Sequence, residues 1–162
     1  MNSKRLIAID PGTTQSGVCV FEGARIADAY VEDNSLLVRQ LSLAHRCIDT
    51  QPTVVIEMIA SYGMAVGKET FETCVWIGRF MQVCEFGITA HRMFRKDVKI
   101  HICGTTKAKD ANIWQAILDR YGGKAAAIGK KNEPGPLYGV KSHARAALAV
   151  GLCWLDGVRS DV

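Results

Sequence analysis

Short apolar runs that each end on an acid set the pattern of the first sixty residues. Leu6-Ile7-Ala8-Ile9 is closed by Asp10 and followed by the turn residues Pro11-Gly12-Thr13-Thr14, which predicts a buried strand over 5–10 with a carboxylate at its carboxyl end. Residues 17–22 and 25–31 predict two further strands joined by the short turn Glu22-Gly23-Ala24, so the first three strands form an antiparallel meander. Leu36, Leu37, Leu41, Leu43, Ala44 and Ile48 then recur at helical spacing behind the capping candidates Asp33, Asn34 and Ser35, predicting an amphipathic helix over 34–49. It leads, past Pro52, to Val54-Val55-Ile56 and a second closing acid, Glu57, in a strand over 53–57. A strand reached through a crossover helix runs parallel to the one it rejoins. Asp10 and Glu57 should therefore stand at one edge of the sheet on neighbouring strands.

The second half continues the alternation of elements. A helix over 68–86 is apolar on two faces, one marked by Phe71, Cys74, Val75, Gly78 and Met81, the other by Trp76, Ile77, Phe80, Val83 and Cys84. Such a helix needs two partners: the sheet, and a second copy of itself, which predicts a homodimer. A strand over 88–91, a short helix over 96–102 and a helix over 109–121 with the stripe Ala111, Ile113, Trp114, Ile117 and Leu118 follow. Residues 122–139 are rich in Gly, Lys and Pro, predicting a mobile loop at the mouth of the site, and an Ala-rich helix over 142–155, opened by Ser142 and His143, packs on the sheet. With 48% hydrophobic residues and no linker, the chain reads as one α/β domain spanning residues 1–162. No apolar run approaches the roughly 18 residues of a membrane span. Met1-Asn2-Ser3-Lys4-Arg5 leads straight into a strand, so a soluble intracellular protein is expected. Six scattered cysteines, Cys19, Cys47, Cys74, Cys84, Cys103 and Cys153, form no CxxC pair and read as small buried hydrophobes.

Two carboxylates buried side by side repel each other in a low dielectric unless a cation lies between them, so Asp10 and Glu57 point to a divalent metal. Charge elsewhere is unevenly placed. Between Arg95 and Arg145 eleven basic residues face four acids, a net +7, whereas the rest of the chain holds nine basic residues and twelve acids. Such a stretch is either a solvated face or a surface for a polyanion; beside an acidic metal-type site it points to phosphate.

Asp10-Pro11-Gly12, Val55-Ile56-Glu57, Arg95-Lys96-Asp97-Val98-Lys99, Lys107-Ala108-Lys109-Asp110 and Ser142-His143-Ala144-Arg145-Ala146-Ala147-Leu148 resemble, in this order and over essentially the whole chain, the RuvC family of Holliday junction resolvases. The version here is similar to bacteriophage-encoded members. The resemblance implies a ribonuclease H-like α/β fold, with a mixed five-stranded sheet flanked by helices, and a homodimeric, metal-dependent endonuclease acting on branched DNA in the cytoplasm of a bacterial host. It matches Asp10 and Glu57 to two metal-binding carboxylates and His143 to a third catalytic position that is Asp or His in the family. Ala146 falls on the fourth, acidic position, and side chains three apart share a helix face, so a ligand is lost there. A chain that binds junctions with lost or reduced cleavage is thus the alternative reading.

For the chemistry the resemblance implies Mg²⁺ or Mn²⁺, two per site, with Asp10 bridging; His143 suits Mn²⁺ or the orienting of the attacking water better than it suits Mg²⁺. Ser142 and Asp110 are possible accessories, although Asp110 also reads as an ordinary first-turn acid. DNA-binding candidates are Lys68, Lys107, Lys109, Lys130, Lys131, Lys141 and Arg145 on the backbone. Tyr62, in the loop after Glu57, either stacks on an opened base step or packs against its own loop. Asp10-Pro11-Gly12-Thr13-Thr14-Gln15-Ser16-Gly17 also looks like the phosphate loop of the actin and sugar-kinase superfamily. That arrangement needs two lobes around ATP, so no nucleotide cofactor is expected.

Overall fold

The computed structural model describes residues 5–44 and 51–160. Its centre is a five-stranded sheet in the order β3-β2-β1-β4-β5, built from β1 (Arg5–Asp10), β2 (Gln15–Glu22), β3 (Arg25–Asp33), β4 (Thr53–Met58) and β5 (Thr89–Phe94). The meander β1–β3 is antiparallel, with a register shift at Val20/Phe21, while β4 joins β1 in parallel and β5 joins β4 in parallel. The expected mixed sheet is therefore present. The expected helix over 34–49 is α1 (Asn34–Ala44); its continuation, with Cys47 and Ile48, lies outside the described residues.

Each sheet face is covered. On one, α1 and α2 (Lys68–Cys84) bury Leu37, Leu41, Ile77, Phe80 and Cys84 against Ile9, Val18, Val54 and Ile56. On the other lie α3 (Arg95–Cys103), α4 (Asp110–Arg120), α5 (Lys124–Ile128) and α6 (His143–Leu155), with Ala147, Leu148 and Leu152 set against Leu6, Ala8, Cys19, Phe21 and Val55. The central strands are covered on both sides, which is why their sequences are continuously apolar. Helix α6 comes unusually close to the sheet. A methyl group on Gly151 would stand 2.2 Å from the Phe21 ring, and one on Gly17 would stand 2.1 Å from the backbone oxygen of His143.

Helix α1 starts with two separate devices. Asp33 accepts from the amides of Ser35 and Leu36 at 2.8 and 3.2 Å and so caps the helix. Asn34, also a capping candidate, is instead fully buried and serves the turn after Asp10. Its side chain donates to the Gly12 carbonyl at 3.0 Å and accepts from the Ser16 hydroxyl at 2.6 Å, while its own amide donates to Thr14 at 2.9 Å.

One expectation fails. Residues 122–139 are not an irregular loop: they hold α5 and a small hairpin of β6 (Gly129–Lys130) and β7 (Glu133–Pro134), with Ala127 and Leu137 buried in the core. Leu137 donates its amide to Ala127 at 2.8 Å and Gly135 to Ile128 at 2.9 Å, so backbone bonding orders a segment with few large apolar side chains. The cysteines behave as expected where described: Cys19, Cys84 and Cys153 are buried, Cys74 and Cys103 half-buried, and all five are free thiols.

Candidate active site

The parallel register pairs Ile9 with Ile56, so the residues that follow, Asp10 and Glu57, stand side by side at the carboxyl ends of β1 and β4. Glu57 is 3% exposed and the Asp10 side chain 13%. Strand β5 extends the row by one place. Met58 pairs with Phe94, and the next residue, Arg95, turns its guanidinium back over the site: Nη1 donates to Glu57 Oε1 at 2.7 Å and Nη2 to Asp110 Oδ1. From the other side His143, the first residue of α6, sets Nδ1 2.8 Å from Asp10 Oδ2. The residue before it, Ser142, has φ +47°, a left-handed backbone that costs energy for a side-chain-bearing residue and aims the helix start at β1.

These residues open into a cleft of about 760 Å³. Its far wall is apolar, made of Val98 from α3, Ile113, Trp114 and Ile117 from α4, and Ala146 and Ala149 from α6. The Arg145 guanidinium lies over the Trp114 ring at 4.2 Å from the centroid.

Burial dominates the electrostatics. It raises Glu57 to about 7, helped by the charge of Asp10 and only partly countered by Arg95. Asp10 is also raised, by burial, against the lowering effect of the His143 contact. The folded chain holds the Glu57 proton up to about pH 7, whereas an unfolded glutamate releases it near the ordinary value of 4.5, so between these values raising the pH favours unfolding. In EDTA the chain is expected to lose on the order of 2 kcal/mol, or ~5 °C in Tm, between pH 5 and 7.5. Scanning calorimetry of Glu57→Gln, which titrates nothing there, should lack most of that slope, and an equal slope in the variant would refute the assignment.

The donor chemistry fits a hard divalent cation between the two carboxylates, which would relieve their repulsion. A fuller set is not assembled. Among the described residues no group of three or more His, Cys, Asp or Glu side chains is placed to hold a metal ion: His143 spends Nδ1 on Asp10, and Arg95 occupies the other side of Glu57.

Of the residues singled out from the sequence, Asp10, Glu57, His143, Asp110, Ser142, Arg145 and Ala146 all line this cleft. Lys68, Lys107, Lys109, Lys130, Lys131 and Lys141 are exposed but outside it. Lys130 and Lys131 sit on the β6–β7 hairpin and its turn, not on a free loop. Tyr62 is 59% exposed with φ +48°, and the Lys96 ammonium lies 5.7 Å from its ring centroid. Sequence reasoning missed Arg95 and Trp114 as members of the site. The signal for Arg95 is its place at the carboxyl end of a strand, as for the two acids, but the sequence pattern ends that strand at residue 91, whereas β5 runs to Phe94.

No protein-family model matches the chain, and no curated protein does. Solved structures do. RuvC of Thermus thermophilus matches over 91% of this chain and 91% of its own, with 20% identity and a TM-score of 0.61. T. thermophilus RuvC in complex with Holliday junction substrate matches over 92% and 91%, with 18% identity and a TM-score of 0.64. The chain has the fold of RuvC. The ribonuclease H-like α/β arrangement expected from the sequence is thus present, and at such low identity what is shared with RuvC is the layout of sheet and helices.

Proposed function

We propose that the chain is a metal-dependent endonuclease that hydrolyses phosphodiesters in branched DNA, four-way junctions first among them. The observation that carries this is the pair of buried carboxylates on adjacent parallel strands, Asp10 and Glu57, with His143 set on Asp10 at 2.8 Å. The RuvC fold and a RuvC structure solved with Holliday junction substrate support the choice of DNA. Asp10 and Glu57 would hold Mg²⁺ or Mn²⁺, which supplies charge for the developing phosphorane and the leaving oxygen. Asp10, by accepting from Nδ1–H, fixes the imidazole tautomer that leaves Nε2 free to take a proton from the attacking water. The apolar wall of α4 and α6 limits water around the reacting phosphate. Arg145 in the cleft and Lys68, Lys107, Lys109, Lys130, Lys131 and Lys141 outside it would bind backbone phosphates, and exposed Tyr62 would stack on an opened base step.

A homodimer fits the outer face of α2, where Phe71 is 62% and Val75 58% exposed, while Ile77 and Phe80 on the opposite face are buried against the sheet. No helix among the described residues is long and apolar enough to cross a membrane. A second reading, junction binding with weak or absent cleavage, rests on Ala146, which lines the cleft where a further carboxylate would reach the site.

Cleavage of a labelled four-way junction and of the matching linear duplex, in Mg²⁺ or Mn²⁺, separates the two. Metal-dependent nicking of the junction at least tenfold faster than of the duplex is expected. Tight junction binding with cleavage only in Ala146→Asp would favour the second reading. Equal handling of junction and duplex, or no binding of either, would defeat both.

A further inference from the structure

Arg95 is held in the site by two carboxylates, and this has no counterpart among the roles expected from the sequence. Its guanidinium spans Glu57 and Asp110 and lines the cleft that Asp10, His143 and Ala146 also line. The Arg95 side chain is 33% exposed, lines the cleft and uses two of its five N–H donors on these acids, which leaves three for a ligand. Burial works against its charge, but Glu57, then Asp110 and Asp10, more than offset this and keep the guanidinium firmly protonated. Meanwhile the position at which a further carboxylate would recruit a second cation is Ala146, and among the described residues no group of three or more His, Cys, Asp or Glu side chains is placed to hold a metal ion.

We infer that Arg95 is a built-in second cation: Asp10 and Glu57 would hold one divalent metal, and the Arg95 guanidinium, in the same cleft, would supply to the scissile phosphate the further positive charge that a second ion would otherwise bring. This rests on the nuclease reading above and narrows its expected two metals to one. In the hydrolysis, the water oxygen bonds to phosphorus, its proton passes to His143 Nε2, the bond from phosphorus to the leaving oxygen breaks, and that oxygen takes a proton from solvent. Arg95 exchanges no proton in these steps. It supplies fixed positive charge to the phosphate oxygens, a task suited to a planar, permanently charged fork. Asp110 is then a positioning residue, holding the guanidinium over the cleft.

The test counts metal and measures rate on the full chain. Mn²⁺ bound per chain, read from the electron paramagnetic resonance of free Mn²⁺ with and without an uncleaved phosphorothioate junction, should be one in the natural sequence and two in Ala146→Asp combined with Arg95→Met. Single-turnover cleavage at saturating junction should fall about a hundredfold in Arg95→Met, with junction affinity changed less than threefold, and about tenfold in Arg95→Lys, which keeps charge but not the fork. Two Mn²⁺ per natural chain, or unchanged cleavage in Arg95→Met, would overturn the inference and leave the nuclease standing. Absence of cleavage or junction preference in the natural chain would instead remove the nuclease reading, and with it the role of Arg95 at a phosphate.

Discussion

Asp10→Asn should lower junction cleavage about a thousandfold, a loss of roughly 4 kcal/mol in transition-state stabilisation, while leaving the fold more stable. Asparagine is the same size and its amide oxygen can still accept from His143 Nδ1, so the 2.8 Å contact survives. What disappears is the negative charge that, on the proposed mechanism, would hold a divalent cation and polarise the imidazole. The same charge is a cost to the folded chain, because burial works against it and it in turn raises the neighbouring Glu57. Without added metal at pH 7.5 the variant should gain about 1 kcal/mol over the natural sequence. Cleavage assays paired with thermal melts check both halves. A variant that cleaves at near-natural rates would remove Asp10 from the chemistry, and one that loses cleavage by unfolding would leave it unassigned to a catalytic role.

Gly17→Ala should be damaging out of proportion to the single methyl it adds. Gly17 is the cross-strand partner of Asp10, and an added methyl would stand 2.1 Å from the His143 carbonyl oxygen, 2.2 Å from its carbon and 2.7 Å from the Ala144 nitrogen. These are backbone atoms of a helix start, so no rotamer change can clear them. Either α6 shifts or β2 does. The expected cost is about 3 kcal/mol, and a helix start displaced by about 1 Å should cut cleavage at least a hundredfold. Ala substitution at Arg39, an exposed position on α1, serves as the control and should leave both stability and cleavage near their natural values. If Gly17→Ala melts and cleaves like that control, the close approach of α6 to β2 does not set the position of His143.

Much of this was legible because strong patterns fell on the elements that matter. Leu6 to Ile9 and Val54 to Ile56 are uninterrupted apolar runs because both strands are covered on two faces, so the acids that end them stood out as misplaced. The 143–155 helix was readable for a similar reason: its Ala and Gly content follows from close packing on Ala8 and Phe21. The edge strand β5 was harder. Thr89-Ala90-His91-Arg92-Met93-Phe94 mixes polar and apolar residues because only Met93 in it is fully covered, so the pattern does not show its carboxyl end or that Arg95, just past it, belongs to the site. Residues 122–139 were missed because order there comes from backbone hydrogen bonds and two buried side chains, Ala127 and Leu137, too few to show a period.

The network at Asn34 carries a consequence for when the chain can act. The backbone after Asp10 is tied through Gly12, Thr14 and Ser16 to the start of α1, which lies on one side of the sheet, whereas the carboxylate of Asp10 is met by His143 from α6 on the other. The central acid is therefore gripped from both layers at once. A chain still being synthesised has β1, β2 and α1 long before α6 emerges, and a partly unfolded chain that sheds either layer loses one of the two grips. On the nuclease reading proposed above, cutting would be confined to a molecule with both layers in place, and a partly folded copy would be harmless to nearby DNA.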